Sequence, residues 1–189
     1  MSRPQRAKDP IDAAALACFA RKGVAATSIT DIAREAGVSS AAIYHFYASK
    51  DALVTALFET HYRALGRALT EAADGAPTAA QRLAAMVRAA CVEHDAAPDL
   101  FRFLLLVQHD TLPRLAHDPE SPVEVVRATL ENAVANGEIP QQDPDLATAL
   151  VFGIVLQPAT FIAYGRLEGT MAGLAPRLQA ACWRALRDD

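Results

Sequence analysis

Hydroxyls, a phenol, an imidazole and an ammonium gather between residues 27 and 50: Thr27, Ser28, Thr30, Ser39, Ser40, Tyr44, His45 and Lys50. These groups hold phosphate oxygens and base edges by hydrogen bonds, and the Ala42 methyl among them suits a thymine methyl. Catalytic spacing is missing. The chain has no glycine-rich phosphate loop, no nucleophile elbow and no His-Glu-x-x-His, and its five histidines lack metal-ligand spacing. No enzyme activity, cofactor or metal site is expected.

The elements that must position these groups can be read around them. Ser28 and Asp31 have the spacing of a capping box, in which each side chain satisfies the other's main-chain N–H. Ile29, Ile32, Ala33 and Ala36 then form an apolar helical face, and Gly37 stops the helix where a left-handed residue is needed. Ser39 opens a second short helix carrying Ile43, Tyr44 and Phe46 or Tyr47, and Ser49 caps the next. Two short helices joined by a glycine-containing turn make a helix-turn-helix, whose second helix enters the major groove. Lys50 stands at a helix start, where its charge and the free N–H groups both favour phosphate. Thr27, Ser28 and Thr30 stand in the same way at the start of the preceding pair.

The strings Ala26-Thr27-Ser28, Asp31-Ile32-Ala33, Ala36-Gly37-Val38-Ser39, Ile43-Tyr44 and Ser49-Lys50 resemble the DNA-binding domain of TetR-type transcriptional repressors. The likeness extends upstream through Ala14-Ala15-Leu16 and Phe19-Ala20-Arg21-Lys22-Gly23, covering about the first third of the chain. It implies that Tyr44 donates its hydroxyl to a phosphate. It further implies a homodimer on a palindromic operator, whose affinity falls when a small molecule in the body shifts the fourth helix. Ala41-Ala42 stands where the family frequently has Gly-Thr. The lost hydroxyl leaves few long polar side chains for base readout, so part of the specificity falls to DNA shape.

The formal net charge of -4 argues against nucleic acid taken alone, but its distribution does not. Residues 1–51 carry a net +2 and the remainder -6, a basic head on an acidic body. Cys18, Cys91 and Cys182 have no paired spacing, which favours buried thiols in a reducing cytoplasm. Residues 1–8 lack the apolar stretch of a signal peptide and are expected to form a flexible basic arm, with Asp9 and Pro10 opening the first helix.

Helical periodicity runs through the rest, with breaks at Asp74-Gly75-Ala76-Pro77, Ala97-Pro98, His109 to Pro119 (a loop or a broken helix), Asn136-Gly137 and Asp143-Pro144. The fold class is therefore all-α. The division expected is a head over residues 1–52, with its helix-turn-helix at 28–47, and an effector-binding and dimerisation body over 53–189. The segment 145–164 is apolar on nearly every face, long enough for a membrane span. Gly153, Gln157 and Pro158 within it favour burial between the body's own core and a second subunit instead. The last two helices are read as the homodimer interface. Polar groups scattered among aromatics suggest an effector pocket at His94, Phe101, Phe103, Gln108, His109, Phe152, Gln157, Phe161 and Tyr164. The alternative function is a helical small-molecule-binding protein or enzyme with a vestigial head.

Overall fold

The computed structural model describes the backbone of residues 3–111, 115 and 117–187, with side chains for 8–108, 115 and 117–187. Among the described residues every regular element is an α-helix: α1 Arg3–Lys22, α2 Ile29–Ala36, α3 Ser40–Phe46, α4 Lys50–Ala73, α5 Ala79–Ala96, α6 Pro98–Thr111, α7 Pro122–Ala135, α8 Pro144–Ala163 and α9 Met171–Ala185. Backbone proximity groups them into two compact units, Met1–His61 with Ala97–Ala116, and Tyr62–Ala96 with His117–Asp189. The first unit therefore takes in α6, which a division at residue 52 would assign to the body. α4 is one continuous helix that begins in the first unit and ends in the second.

In the first unit Ile11, Ala15, Cys18 and Phe19 recur at helical spacing and are fully buried on α1. Ile32 of α2, Ile43 of α3 and Leu53, Leu57 and Phe58 of α4 are buried as well, and α1 docks on α2. Each such side chain contributes roughly 1.5–3 kcal/mol by leaving water. α6 docks on α1, and Phe103 stacks on Phe19 with ring centroids 5.6 Å apart and planes 16° from parallel.

One helix start differs from expectation. α1 begins at Arg3 rather than at Asp9, so Pro10 lies inside it. A proline seven residues into a helix removes one N–H and crowds the carbonyl four residues back, and α1 continues through it. The expected arm over residues 1–8 is thus helical from Arg3 onward.

In the second unit α5 and α9 form the most extensive pair, flanked by α7 and α8. Leu83, Met86 and Cys91 of α5 meet Met171, Ala175, Leu178 and Cys182 of α9 in one apolar core. Two helix starts are completed from far along the chain. Glu138 accepts the Ala79 N–H at 2.6 Å at the start of α5. Asp95 accepts the N–H groups of Met171 and Ala172 at 3.0 and 2.8 Å at the start of α9. Each supplies a carboxylate where the helix dipole favours negative charge. α8 is long and apolar enough to cross a membrane by length and composition. Its outer face leaves Leu146, Leu150, Phe161 and Tyr164 exposed at 60%, 42%, 40% and 75%.

Candidate nucleic-acid interface

Local sequence builds the α2–turn–α3 unit. The Ser28 hydroxyl accepts the Asp31 N–H at 3.1 Å, and the Asp31 carboxylate accepts the Ser28 N–H at 3.1 Å and its O–H at 2.8 Å. Those bonds to Ser28, with Lys22 nearby at 3.4 Å, bring the Asp31 carboxyl down to a pKa of about 2. Gly37 adopts φ 67°, ψ 29°, a left-handed conformation that glycine enters without penalty. The Val38 N–H then reaches back to the Ala33 carbonyl at 3.0 Å, closing α2 and reversing the chain. Ser39 caps α3 by accepting the Ala42 N–H at 3.2 Å.

Packing then fixes which face of α3 points outward. Ile43 and Tyr47 are buried, while Ser39, Ala41, Tyr44 and His45 are exposed, with Ser40 and Ala42 partly so. Tyr44 is 55% exposed, an unusual setting for an aromatic ring with no buried role. Thr30 and Ser28 are exposed at the start of α2, and Arg34 projects beside them with a 3.5 Å contact to Asp31. Arg34 was not among the residues singled out from sequence. Its position one turn beyond Asp31 on a polar face was the available signal.

Two expected phosphate ligands are employed otherwise. The Thr27 side chain is buried, and its hydroxyl donates to the Gly23 carbonyl at 2.8 Å. It closes the α1–α2 turn and does not face outward. The Lys50 ammonium turns inward, donating to the carbonyls of Val24 at 2.9 Å and Thr27 at 3.0 Å. It ties the start of α4 to the loop ahead of α2.

A second brace was invisible in the local pattern. The Tyr47 hydroxyl donates to Asp12 at 2.6 Å, Lys8 donates to the same carboxylate at 3.2 Å, and the Lys8 ammonium lies 5.4 Å from the Tyr47 ring centre. Burial, then the Asp12 hydrogen bond, pushes the Tyr47 phenol up to about 12 against the opposing pull of Lys8. The end of α3 is thereby pinned to α1 by a polar triad as well as by apolar contact.

The residues expected to form an effector pocket are dispersed. Phe101, Phe103 and Gln108 belong to the first unit, with Phe103 committed to its stack on Phe19. His94 is buried on α5 with its Nδ1 3.2 Å from Asp95. Phe152 packs partly buried on the core of the second unit. Gln157, Phe161 and Tyr164 lie on the exposed face of α8, a face and not a hollow. The His109 side chain lies outside the described residues. No group of metal-ligating residues occurs among the described residues.

Comparison with known proteins places this geometry. Residues 11–57 match the model of the family described as bacterial regulatory proteins, tetR family. The HTH-type transcriptional regulator BetI of Brucella canis is 37% identical over 84 residues, 44% of this chain and 42% of that one. The chain thus spans less than half the length of this curated relative. Over nearly the whole chain, the fatty acid degradation regulator FadR from Bacillus halodurans has the same fold. It gives a TM-score of 0.82 at 18% identity, covering 95% of this chain and 100% of the other. FadR from Bacillus subtilis, solved in complex with stearoyl-CoA, gives 0.76 at 17% identity over 93% and 97%.

Proposed function

We propose, from the tetR-family regulatory domain that this chain carries at residues 11–57, that it is a DNA-binding transcriptional regulator acting as a cytoplasmic, ligand-responsive repressor. The observation that carries the reading is Tyr44, exposed on a short helix whose two ends and inner face are all fixed. Ser39 caps the start, Ile43 is buried within, and Tyr47 is bonded to Asp12 at the end. A ring held out on so rigid a mount can place its hydroxyl on a phosphate while Ser39, Ser40, Ala42 and His45 meet base edges. Ser28 and Thr30 approach the backbone at the start of α2, and Lys50 braces the loop between.

A homodimer accounts for the outer face of α8. Leu146, Leu150, Phe161 and Tyr164 form an exposed apolar stripe, and beside it a cleft of about 770 Å³ runs along α9, lined by Leu167, Leu174 and Trp183. So large an apolar patch calls for a partner. The four residues fall on one face at helical periodicity, a face that a second copy of the same helix would match, and a twofold pair would present one head to each half of a palindromic operator. Ligand response is proposed for the second unit, as FadR of Bacillus subtilis holds stearoyl-CoA.

Selection of duplexes from a random pool, followed by gel retardation, tests the reading. A palindromic sequence should emerge, retarded with steep salt dependence. Tyr44→Phe should weaken retardation several-fold without loss of helicity. Failure to enrich any sequence at low salt sinks the DNA-binding reading, and undiminished binding by Tyr44→Phe sinks the role given to that residue. Light scattering of Phe161→Glu should give the monomer mass. An unchanged dimer mass refutes the α8 interface.

A further inference from the structure

Base readout, in the reading above, depends on where the last turn of α3 stands, because Tyr44 and His45 both belong to it. α3 has seven residues, too few to hold a helix by its own hydrogen bonds. Its outside supports therefore decide its axis. Among the described residues α3 docks along α2 and has no face of comparable breadth against α1. The tie to α1 is made one residue after the helix. Tyr47 has left the helical path at φ -134°, ψ 121°, with its N–H still bonded to the Ile43 carbonyl at 2.9 Å. Its hydroxyl donates to Asp12 Oδ1 at 2.6 Å, while Asp12 Oδ2 accepts from the Lys8 ammonium at 3.2 Å. Each oxygen of that carboxylate thus has a partner of its own, one of them a cation.

We propose that Asp12 is a positioning residue for base readout: through the Tyr47 hydroxyl it fixes the tilt of α3 against α1, and so sets how sharply the protein tells one DNA sequence from another. The inference rests on the DNA-binding reading above and adds what governs its specificity. Asp12 need not touch DNA to do this. It stands 35 residues ahead of the ring it holds, on α1 and not on the helix that reads. Lys8 serves the same end, because a carboxylate left uncompensated in the head would repel phosphate on every sequence alike.

A loosened α3 does not lose every contact equally. Attraction between a cation and phosphate falls off slowly with distance, so a helix that tilts by about an ångström keeps most of it. Hydrogen bonds to base edges need about 2.7–3.2 Å and a near-linear approach, and they weaken steeply outside that window. The same wobble therefore takes more from the matched sequence than from any other. Losing one good base contact lowers discrimination about 5- to 150-fold. Phenylalanine at position 47 would keep the apolar seat of the ring and leave the helix untied.

The experiment uses the full chain, a duplex it has selected, and a duplex of equal length with the bases scrambled. The readout is the ratio of the two affinities, with the salt slope of each as control. Tyr47→Phe and Asp12→Ala should each lower the ratio at least about 5-fold at unchanged salt slope, and the double variant should fall no further than either alone. Asp12→Asn keeps an acceptor for the hydroxyl and should keep the ratio. Equal loss on both duplexes, which a purely structural role would give, overturns the proposal. So does full discrimination in Tyr47→Phe, a further loss in the double variant, or a ratio lost in Asp12→Asn. Should Asp12→Ala fail to fold, Tyr47→Phe carries the test. Amide exchange over residues 40–47, read without DNA, should quicken about 5-fold in Tyr47→Phe and stay unchanged in α9. Unchanged exchange over 40–47 also overturns the tie. Failure of the native protein to select any duplex strikes the DNA-binding reading instead, and amide exchange still tests the tie.

Discussion

Replacing Gly66 by alanine should destabilise the protein, although alanine is the better helix former by about 1 kcal/mol. Gly66 has ordinary helical geometry, so the usual reason for a glycine is absent. What it supplies is clearance. A β-carbon there would overlap the Glu120 carbonyl oxygen and stand 2.9 Å from its carbon and 3.1 Å from the Pro122 nitrogen. These are main-chain atoms that cannot rotate aside, so the overpacking cost belongs in the upper part of the usual 1–3 kcal/mol. Pushing the turn away also strains the Arg63–Asp118 and Arg67–Glu120 pairs, worth up to about 1 kcal/mol each where partly exposed. Setting the propensity gain against these losses leaves about 2–3 kcal/mol, a fall in Tm of about 4–12 °C for a chain of this size. Thermal unfolding followed by circular dichroism at 222 nm reads it directly. A Tm equal to or above that of the native protein would mean that the 118–122 turn does not rest on α4, and the grip on that helix would go with it.

Three further outcomes are expected. Asp95→Ala should cost about 1–2 kcal/mol in urea unfolding, because it removes both acceptors at the start of α9. Burial raises the Asp95 carboxyl, but the Ala172 N–H, His94 and the Met171 N–H together outweigh it and hold the pKa below its ordinary value. The advantage over the variant is therefore present above about pH 4, the ordinary aspartate range, and should fade as the pH falls through the lowered folded-state value. Tyr47→Phe should lose about 1 kcal/mol with its bond to Asp12, and in the native protein the difference titration at 295 nm should show the Tyr47 phenol ionising only near pH 12 and the Tyr62 phenol, pushed up further by burial, later still. All three cysteines are buried, and burial pushes the thiols of Cys91 and Cys182 up to about 11. A thiol reagent at pH 8 should label none of them in the native protein and all of them in denaturant, and fast native labelling of Cys91 or Cys182 would contradict the packing of α5 on α9.

What was legible in the sequence was what neighbours decide. The Ser28–Asp31 box, the left-handed Gly37, the Ser39 cap and the Ser121-Pro122 start of α7 depend on residues three or four apart, and each has a motif of that length. Proline was a less faithful guide. Pro10 reads as a helix start but lies inside α1, whose packing outweighs one lost hydrogen bond. The roles of Thr27 and Lys50 were hidden for a different reason. Lys50 finds its carbonyls 26 and 23 residues upstream, and no local pattern distinguishes an ammonium turned in from one turned out. The turn that grips α4 lies 53 to 55 residues from the arginines it engages. Aromatic residues were legible as a class and not as a place, which is why Phe103 and Phe161 could be grouped as pocket walls. One is stacked in a core and the other stands on an open face.

The stack of Phe103 on Phe19 has a consequence for anyone who would cut or graft this protein. Half of that contact is encoded some eighty residues after the other, beyond the whole of α5. A fragment ending after α4 would keep every residue that touches DNA in the proposed reading, yet strip α1 of its α6 cover and leave a phenyl ring bare to water. The reading head is not a cassette to be lifted out at its sequence boundary. A chimera that borrows it must borrow α6 too, or repair α1 with a polar face of its own.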